Sequence, residues 1–218
     1  MRLDFWSQRW DEGRTGFHRP VPNDGLERFG AKAFGAPSGR ILVPLCGQTL
    51  DLDWLVAQGF EVVGVEFVPA AVRGLQSRWG SPDEVFDSPC GLFSAFRWAK
   101  GLTVYQGDFF SLPSLHLEPF DGIWDRAAIV ALSPDRREEY AAILVSSLKP
   151  GGTLLLRSFA YDQNEMSGPP FSVDTQTVAS LFPGTRLHVL ENERITDDPK
   201  MKGRGLSWQK IITMTIEF

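Results

Sequence analysis

Apolar residues along the chain change period several times, and each change marks an element. Ile41, Leu42 and Val43 form a short continuous apolar run that ends in a Pro44-Leu45-Cys46-Gly47 turn. A helix-like segment follows, and a second run, Val62-Val63-Gly64-Val65, stops at a lone acid, Glu66. Two short β-branched runs around a helix read as a βαβ unit with a buried parallel pair. The same reading predicts strands over 102–106, 120–124, 153–159, 186–195 and 206–217. It predicts helices over 69–79 with Pro69 first, over 133–148 opened by Ser133-Pro134-Asp135, and over 174–182. Upstream, Phe5, Trp6 and Trp10 share one helical face that Gly13 and Gly16 close. Residues 23–34 form an amphipathic helix with Leu26, Phe29, Ala33 and Phe34 inward. Residues 81–100 read as irregular, 113–119 as a loop, and 196–205 as a hairpin loop between the last two strands.

Strands joined as tightly as the last two must run antiparallel. The pattern therefore predicts a single α/β domain over 1–218. Its core, 39–218, is a doubly wound, mostly parallel, seven-stranded Rossmann-like sheet, and 1–38 form an N-terminal helical lid. Ligands of such sheets sit outside the carboxyl ends of the strands. Those ends are Pro44 to Gly47, Glu66, Asp108 with Phe109, Asp125 with Arg126, and the loop after Phe159. All of the chemically interesting turns fall on this one rim.

Composition narrows the partners. The chain has 218 residues and a formal net charge of −5, which argues against a nucleic-acid surface. No apolar run approaches the ~20 residues that span a bilayer, and the N-terminus lacks the apolar core of a signal peptide. Two cysteines, Cys46 and Cys90, make no framework, so a reducing cytoplasm is expected. His18, His116 and His188 have no metal-ligand spacing, and no metal is expected. An acidic domain of this size can act as a monomer.

Glu66 falls roughly twenty residues past the first turn, where nucleotide-binding folds place the carboxylate that grips a ribose. The turn itself has one glycine, Gly47, where a dinucleotide site needs three, and there is no Walker lysine. A ribose-gripping acid without phosphate-binding glycines points to a nucleoside cofactor lacking a pyrophosphate, such as S-adenosylmethionine. Its sulfonium also suits the N-terminal tryptophans, since a cation over an indole face contributes about 0.5–2 kcal/mol. Asp108 ends the next strand in the same way and is placed to meet the adenine edge, with Phe109 against the ring.

Several segments resemble one known family. Trp10, Gly13 and Phe17-His18, then Val43-Pro44-Leu45-Cys46-Gly47 and Val62-Val63-Gly64-Val65-Glu66, are similar to thiopurine S-methyltransferases. Asp108-Phe109-Phe110, Ile123-Trp124-Asp125-Arg126 and Gly168-Pro169-Pro170-Phe171 continue the match in order over essentially the whole chain. The resemblance implies the class I S-adenosylmethionine-dependent methyltransferase fold and methyl transfer to aromatic or heterocyclic thiols, with S-adenosylhomocysteine as product. It implies a donor site of Trp10, Leu45, Gly47, Glu66, Asp108, Phe109 and Arg126. It implies an acceptor site of Phe17, Arg126 and Arg204, with Arg126 the catalytic residue linking donor and acceptor. Two positions depart from the family: Gln48 replaces the usual lysine, and Val68 a common helix-capping serine. A methyltransferase for halide, thiocyanate or inorganic selenium and tellurium species remains an alternative. So do a non-catalytic donor-binding module and, more distantly, an NAD-dependent enzyme. Asp125 reads either as a base or as a loop anchor, and His18 as a residue fixing the N-terminal segment.

Overall fold

The computed structural model describes residues 3–35 and 37–218; Met1, Arg2 and Ala36, which fall in the expected lid, lie outside the described residues. Two helices, α1 (Leu3–Asp11) and α2 (Asp24–Phe34), precede the first strand, β1 (Arg40–Pro44). Then come α3 (Asp51–Ala57), β2 (Glu61–Glu66) and α4 (Pro69–Trp79). A hairpin of β3 (Glu84–Asp87) and β4 (Ser94–Trp98) leads into β5 (Leu102–Gln106) and β6 (Phe120–Arg126). The remainder is α5 (Arg137–Ser147), β7 (Leu148–Ala160), α6 (Thr175–Leu181), β8 (Arg186–Ile195), α7 (Pro199–Gly203) and β9 (Gln209–Glu217).

All nine strands join one sheet in the order β3-β4-β5-β2-β1-β6-β7-β9-β8. From β5 to β7 the neighbours are parallel, and β9 lies antiparallel between β7 and β8. Apolar layers cover both faces. Leu42, Val63, Leu154 and Leu156 pack under α5 and α6, while Ile41, Val43, Val62 and Leu155 pack under α2, α3 and α4. That two-sided burial explains why the parallel strands read as continuous apolar runs rather than alternating ones.

The strand count corrects the expectation of seven. Residues 81–100 are not irregular: β3 and β4 pair antiparallel, and β4 pairs antiparallel with β5. Ala95 and Trp98 are buried on opposite faces of β4, so no period-2 alternation marks these short strands, and the Ser88-Pro89-Cys90-Gly91 turn interrupts them. Two loops are also more ordered than expected. Phe109–Leu115 is a 3-10 helix, with the Asp108 carboxylate accepting from Phe110 N at 3.1 Å. Pro199–Gly203 is helical, with Asp198 accepting from Met201 N at 2.8 Å. Ser133 makes no side-chain cap; the 3-10 turn Pro134–Arg136 leads into α5 instead.

Helix α2 starts as expected, its first turn capped by Asn23, which accepts from Gly25 N at 2.9 Å. Leu26 and Phe34 are buried, and Phe29 and Ala33 are half-buried against the same layer. Its outer end is fixed by charge. The guanidinium of Arg157, on β7, donates to Asp24 at 3.0 Å, Glu191 at 2.9 Å and Thr213 Oγ1 at 3.0 Å. Gly25 is required beside it, since a Cβ there would lie 2.3 Å from Arg157 Nη1. No helix among the described residues is long and apolar enough to cross a membrane.

Candidate active site

The turn after β1 bends by two left-handed residues, Leu45 at φ 47° and Gly47 at φ 56°. A Cβ at Gly47 would lie 3.2 Å from the Trp10 indole and 4.0 Å from Glu66 Oε2, so this position needs glycine for space as well as for conformation. Gly47 N donates to Glu66 Oε2 at 2.7 Å, and Val68 N donates to Oε1 at 2.6 Å. No side chain caps α4 at Val68; the Glu66 carboxylate instead accepts from the N–H of the N-cap residue itself, which fixes the chain entering the helix. Burial pushes the Glu66 pKa up, and these backbone donors oppose the shift. Each oxygen keeps a lone pair for a ligand.

The outer half of the same turn is clamped from α4. Arg78 donates to the carbonyls of Gln48 at 2.8 Å and Thr49 at 3.1 Å, and pairs with Asp53 at 2.7 Å. Gln48, the departure from the family lysine, packs on Gly74, where a Cβ would sit 1.8 Å from its Oε1.

Turn and carboxylate form one wall of a cavity of about 810 Å³. The N-terminal arm forms a second, where Trp6, Arg9 and Trp10 present one face of α1. Phe17 meets both indoles edge-on, with centroids 5.5 Å from Trp6 and 5.6 Å from Trp10. His18 lines this wall too, and burial lowers its pKa, so the imidazole is neutral at neutral pH and adds no charge. Arg9 faces the cavity with its Nε shielded from solvent and without a hydrogen-bond partner.

The third wall is the end of β6 and the turn beyond it. Trp124 donates its Nε1–H to Asp51 at 2.8 Å, and Asp51 also accepts from Asn23 N at 2.7 Å. Arg126 reaches into the cavity, and among the described residues no side chain or carbonyl pairs with its guanidinium. Burial lowers its pKa, yet a guanidinium stays protonated. Asp125 is fully buried and does not line the cavity. Its Oδ1 accepts from Ala128 N and Ile129 N, both at 3.2 Å, and its Oδ2 from the Tyr140 hydroxyl at 2.8 Å. Of the two readings of Asp125, loop anchor is the one its surroundings permit.

The fourth wall comes from late in the chain. Phe159, Met166, Pro169, Pro170, Ile211 and the α7 segment enclose it, and Arg204 lines it just after α7. A small satellite core of Tyr161, Met201 and Leu206, with Met166 against it, joins the two segments that carry this wall. Ser207 N donates to Glu165 at 2.9 Å across the same junction.

The cavity therefore gathers Trp10, Phe17, Leu45, Gly47, Glu66, Arg126 and Arg204. Asp108 and Phe109, also expected in the donor site, do not line the cavity. Phe109 is wholly buried, packed 5.0 Å from the Tyr140 ring, and Asp108 Oδ1 accepts from Phe110 N in the 3-10 turn. Sequence reasoning placed both by their strand end, where a 3-10 helix begins and the Phe109 ring packs into the core. It missed Arg9, Arg19, Asp51 and Met166. For Arg9 a signal existed, since it stands three residues after Trp6 on the same helical face.

Known proteins resemble this chain in sequence and in fold. The family model for thiopurine S-methyltransferase (TPMT) matches residues 1–217. The thiopurine S-methyltransferases of Aliivibrio fischeri (strain MJ11) and Pseudomonas aeruginosa (strain UCBPP-PA14) are each 40% identical over 210 residues, covering 95% of both chains. Among solved structures, the 1,6-didemethyltoxoflavin-N1-methyltransferase of Burkholderia thailandensis, with 1,6-didemethyltoxoflavin and S-adenosylhomocysteine bound, has a TM-score of 0.64 at 18% identity. It covers 99% of this chain and 86% of its own, a likeness of fold alone. Sequence match over the full length, fold and cavity converge: the chain belongs to the thiopurine S-methyltransferase family.

Proposed function

We propose that the chain moves a methyl group from S-adenosylmethionine to the sulfur of aromatic and heterocyclic thiols, releasing S-adenosylhomocysteine. Family membership makes it an S-adenosylmethionine-dependent S-methyltransferase acting on small molecules. The observation that carries the reading is the carboxylate of Glu66, fixed by two backbone N–H groups beside a one-glycine turn and under an aromatic roof. These residues fit the donor. Glu66 has free lone pairs for a ribose diol, Gly47 leaves room that any side chain would fill, and the turn carries a single glycine where a phosphate cradle needs several. When bound, S-adenosylmethionine supplies a methyl carried on a sulfonium, the electrophile of an in-line displacement.

The chain's own residues do the rest. Leu45, Gly47 and Glu66 hold the nucleoside, and Trp10 closes over it. Residues 1–38 act as a lid on the 39–218 core, excluding water from the reacting atoms. Phe17 and the apolar fourth wall hold the acceptor ring. Arg126, without a partner among the described residues, stabilises the thiolate, and Arg204 assists from the rim. An aromatic thiol is already largely thiolate near neutral pH, so alignment matters more than a base. The cavity volume of about 810 Å³ suits a nucleoside with a ring-sized acceptor better than a halide ion. The protein works in the cytoplasm as a monomer, without nucleic acid or membrane; sedimentation at micromolar concentration should give a 24.3 kDa species.

Methyl transfer to thiophenol, read as S-adenosylhomocysteine released and repeated with iodide and selenite, tests the reading. Donor binding with no product from any acceptor would overturn it, and product from iodide or selenite alone would move the activity to inorganic acceptors.

A further inference from the structure

Asp125 is wholly buried, pairs with no cation among the described residues and, unlike Glu66 and Asp51, does not line the cavity. Its partners are a hydroxyl and two backbone N–H groups, and those N–H groups belong to the turn that carries the third wall. The turn is held in an arrangement it would not adopt freely: Ala127 has φ 66°, a left-handed backbone that alanine rarely takes. Val130 and Ala131, directly after the bonded amides, line the cavity, and Val130 O accepts from Phe171 N at 2.7 Å. One carboxylate thus fixes the backbone on both sides of Arg126, and through Val130 the Gly168–Phe171 turn of the fourth wall.

We propose that Asp125 is a positioning residue for the acceptor site: its carboxylate sets the 127–131 turn, and with it the Arg126 guanidinium and the Pro169–Pro170 wall, in the arrangement that receives the thiolate. The inference rests on the reading of Arg126 given above. Because Asp125 touches neither cavity nor ligand, it acts through these groups and not as a base. Its ionised form makes the stronger hydrogen bonds, since a charged acceptor binds an N–H roughly twice as strongly as a neutral one. Burial in turn pushes its pKa up to about 6, which brings its proton uptake into an accessible range. Titratable and charged groups on the elements packed around it are few. Tyr140 of α5 touches it, Arg137 of α5 donates its Nε–H to Leu132 O, Glu138 and Glu139 are exposed, and Arg157 of β7 is engaged with Asp24 and Glu191. Arg40 of β1 pairs with Glu61, and Lys149 at the start of β7 with Asp121.

The test compares the whole protein with Asp125→Asn, Asp125→Ala and Arg126→Met, using pentafluorothiophenol, an acceptor acidic enough to stay thiolate from pH 5 to 8. Acceptor KM, kcat and the Kd for S-adenosylhomocysteine are measured across that range. Asparagine keeps an acceptor toward the two N–H groups and offers its amide to Tyr140, so it mimics the protonated acid. The wild-type acceptor KM should therefore rise severalfold as pH falls through about 6. Asp125→Asn should be flat across the range at the wild-type acid value, with kcat within about twofold. Asp125→Ala, where it folds, should raise KM by roughly tenfold or more with donor Kd little changed, the size of effect expected when a binding group is misplaced. A hundredfold fall in kcat for Asp125→Asn would instead make Asp125 a base, and a wild-type KM flat through pH 6 would remove the positioning role. Either result overturns the proposal. If Arg126→Met retains full activity, it is the reading of Arg126 that fails, which the Asp125 variants alone would not reveal.

Discussion

At the scale of single residues, Glu66 carries the most precise expectation. Its two oxygens are fixed by Gly47 N and Val68 N, so its free lone pairs are aimed before any ligand arrives. Glu66→Ala should weaken S-adenosylhomocysteine binding by one to two decades, the effect of losing charge-assisted hydrogen bonds of about 1.5–3 kcal/mol. Titration calorimetry reads this directly, and unchanged affinity would mean that the ribose lies elsewhere. Asp125 has the opposite character, because the folded protein holds it at a cost. Its folded pKa of about 6 stands above the unfolded value of 3.8, so the folded state binds the proton more tightly. Its stabilising contribution is full below about 3.8 and is lost as pH rises through 6, a loss of roughly 3 kcal/mol at about 1.4 kcal/mol per unit. Asp125→Asn should then have an unchanged or higher Tm at pH 7.5, and its Tm should vary less than wild type between pH 4 and 6. A clear drop in Tm at pH 7.5 would contradict the linkage. Glu66 and Gly47 were legible in the sequence because spacing from a strand end fixes them. Phe109 was not, because whether a ring after a strand faces the rim or the core depends on Tyr140, some thirty positions away, which fills the space beside it.

At the scale of elements, the parallel strands and the helices between them were readable, since burial on both faces leaves continuous apolar runs. The β3–β4 hairpin was not. The hairpin buries only Ala95 on one face and Trp98 on the other, and exposed Val85 and Arg97 break the apolar signal. Helix α7 escaped notice because five residues are too few to show a period, although Asp198 before Pro199 is a cap signal. The tie between α2 and the sheet was invisible for another reason: Arg157 lies 133 residues from Asp24 and 34 from Glu191. That tie is strong. Arg157→Met would take from Glu191 one of its two cations, leaving Arg28 at 2.6 Å, and from Thr213 and Asp24 a charged donor, and should destabilise the fold by about 1.5–3 kcal/mol, measured by urea denaturation. Because α2 follows the arm that roofs the cavity, the same variant should also weaken donor binding at temperatures where it remains folded.

At the scale of the molecule, the cavity joins walls drawn from the arm, the turn after β1, the end of β6 and the last third of the chain. A ligand that fills it couples all four and should stabilise the whole. At one hundred times its Kd, S-adenosylhomocysteine should add about 2.7 kcal/mol, or roughly 5–10 °C in Tm for a domain of this size. Differential scanning fluorimetry checks this, and NADH should produce no comparable shift.

The place of β9 in the sheet has a consequence for how the protein is made. Strand β8 is synthesised first, yet its hydrogen-bonding partner is β9, which must enter between β8 and β7. While the ribosome is still producing 196–208, β8 has no neighbour, and the β7 edge lies open. The parallel strands from β5 to β7, with Glu66 and its turn, need nothing from that late segment to pair. A nascent chain can therefore pair the strands of its donor half before the fourth wall is closed, and an arrested or clipped product ending before β9 would lack the part of that wall supplied by Ile211. It would also expose two unpaired strand edges, the hallmark of a species that chaperones must shield.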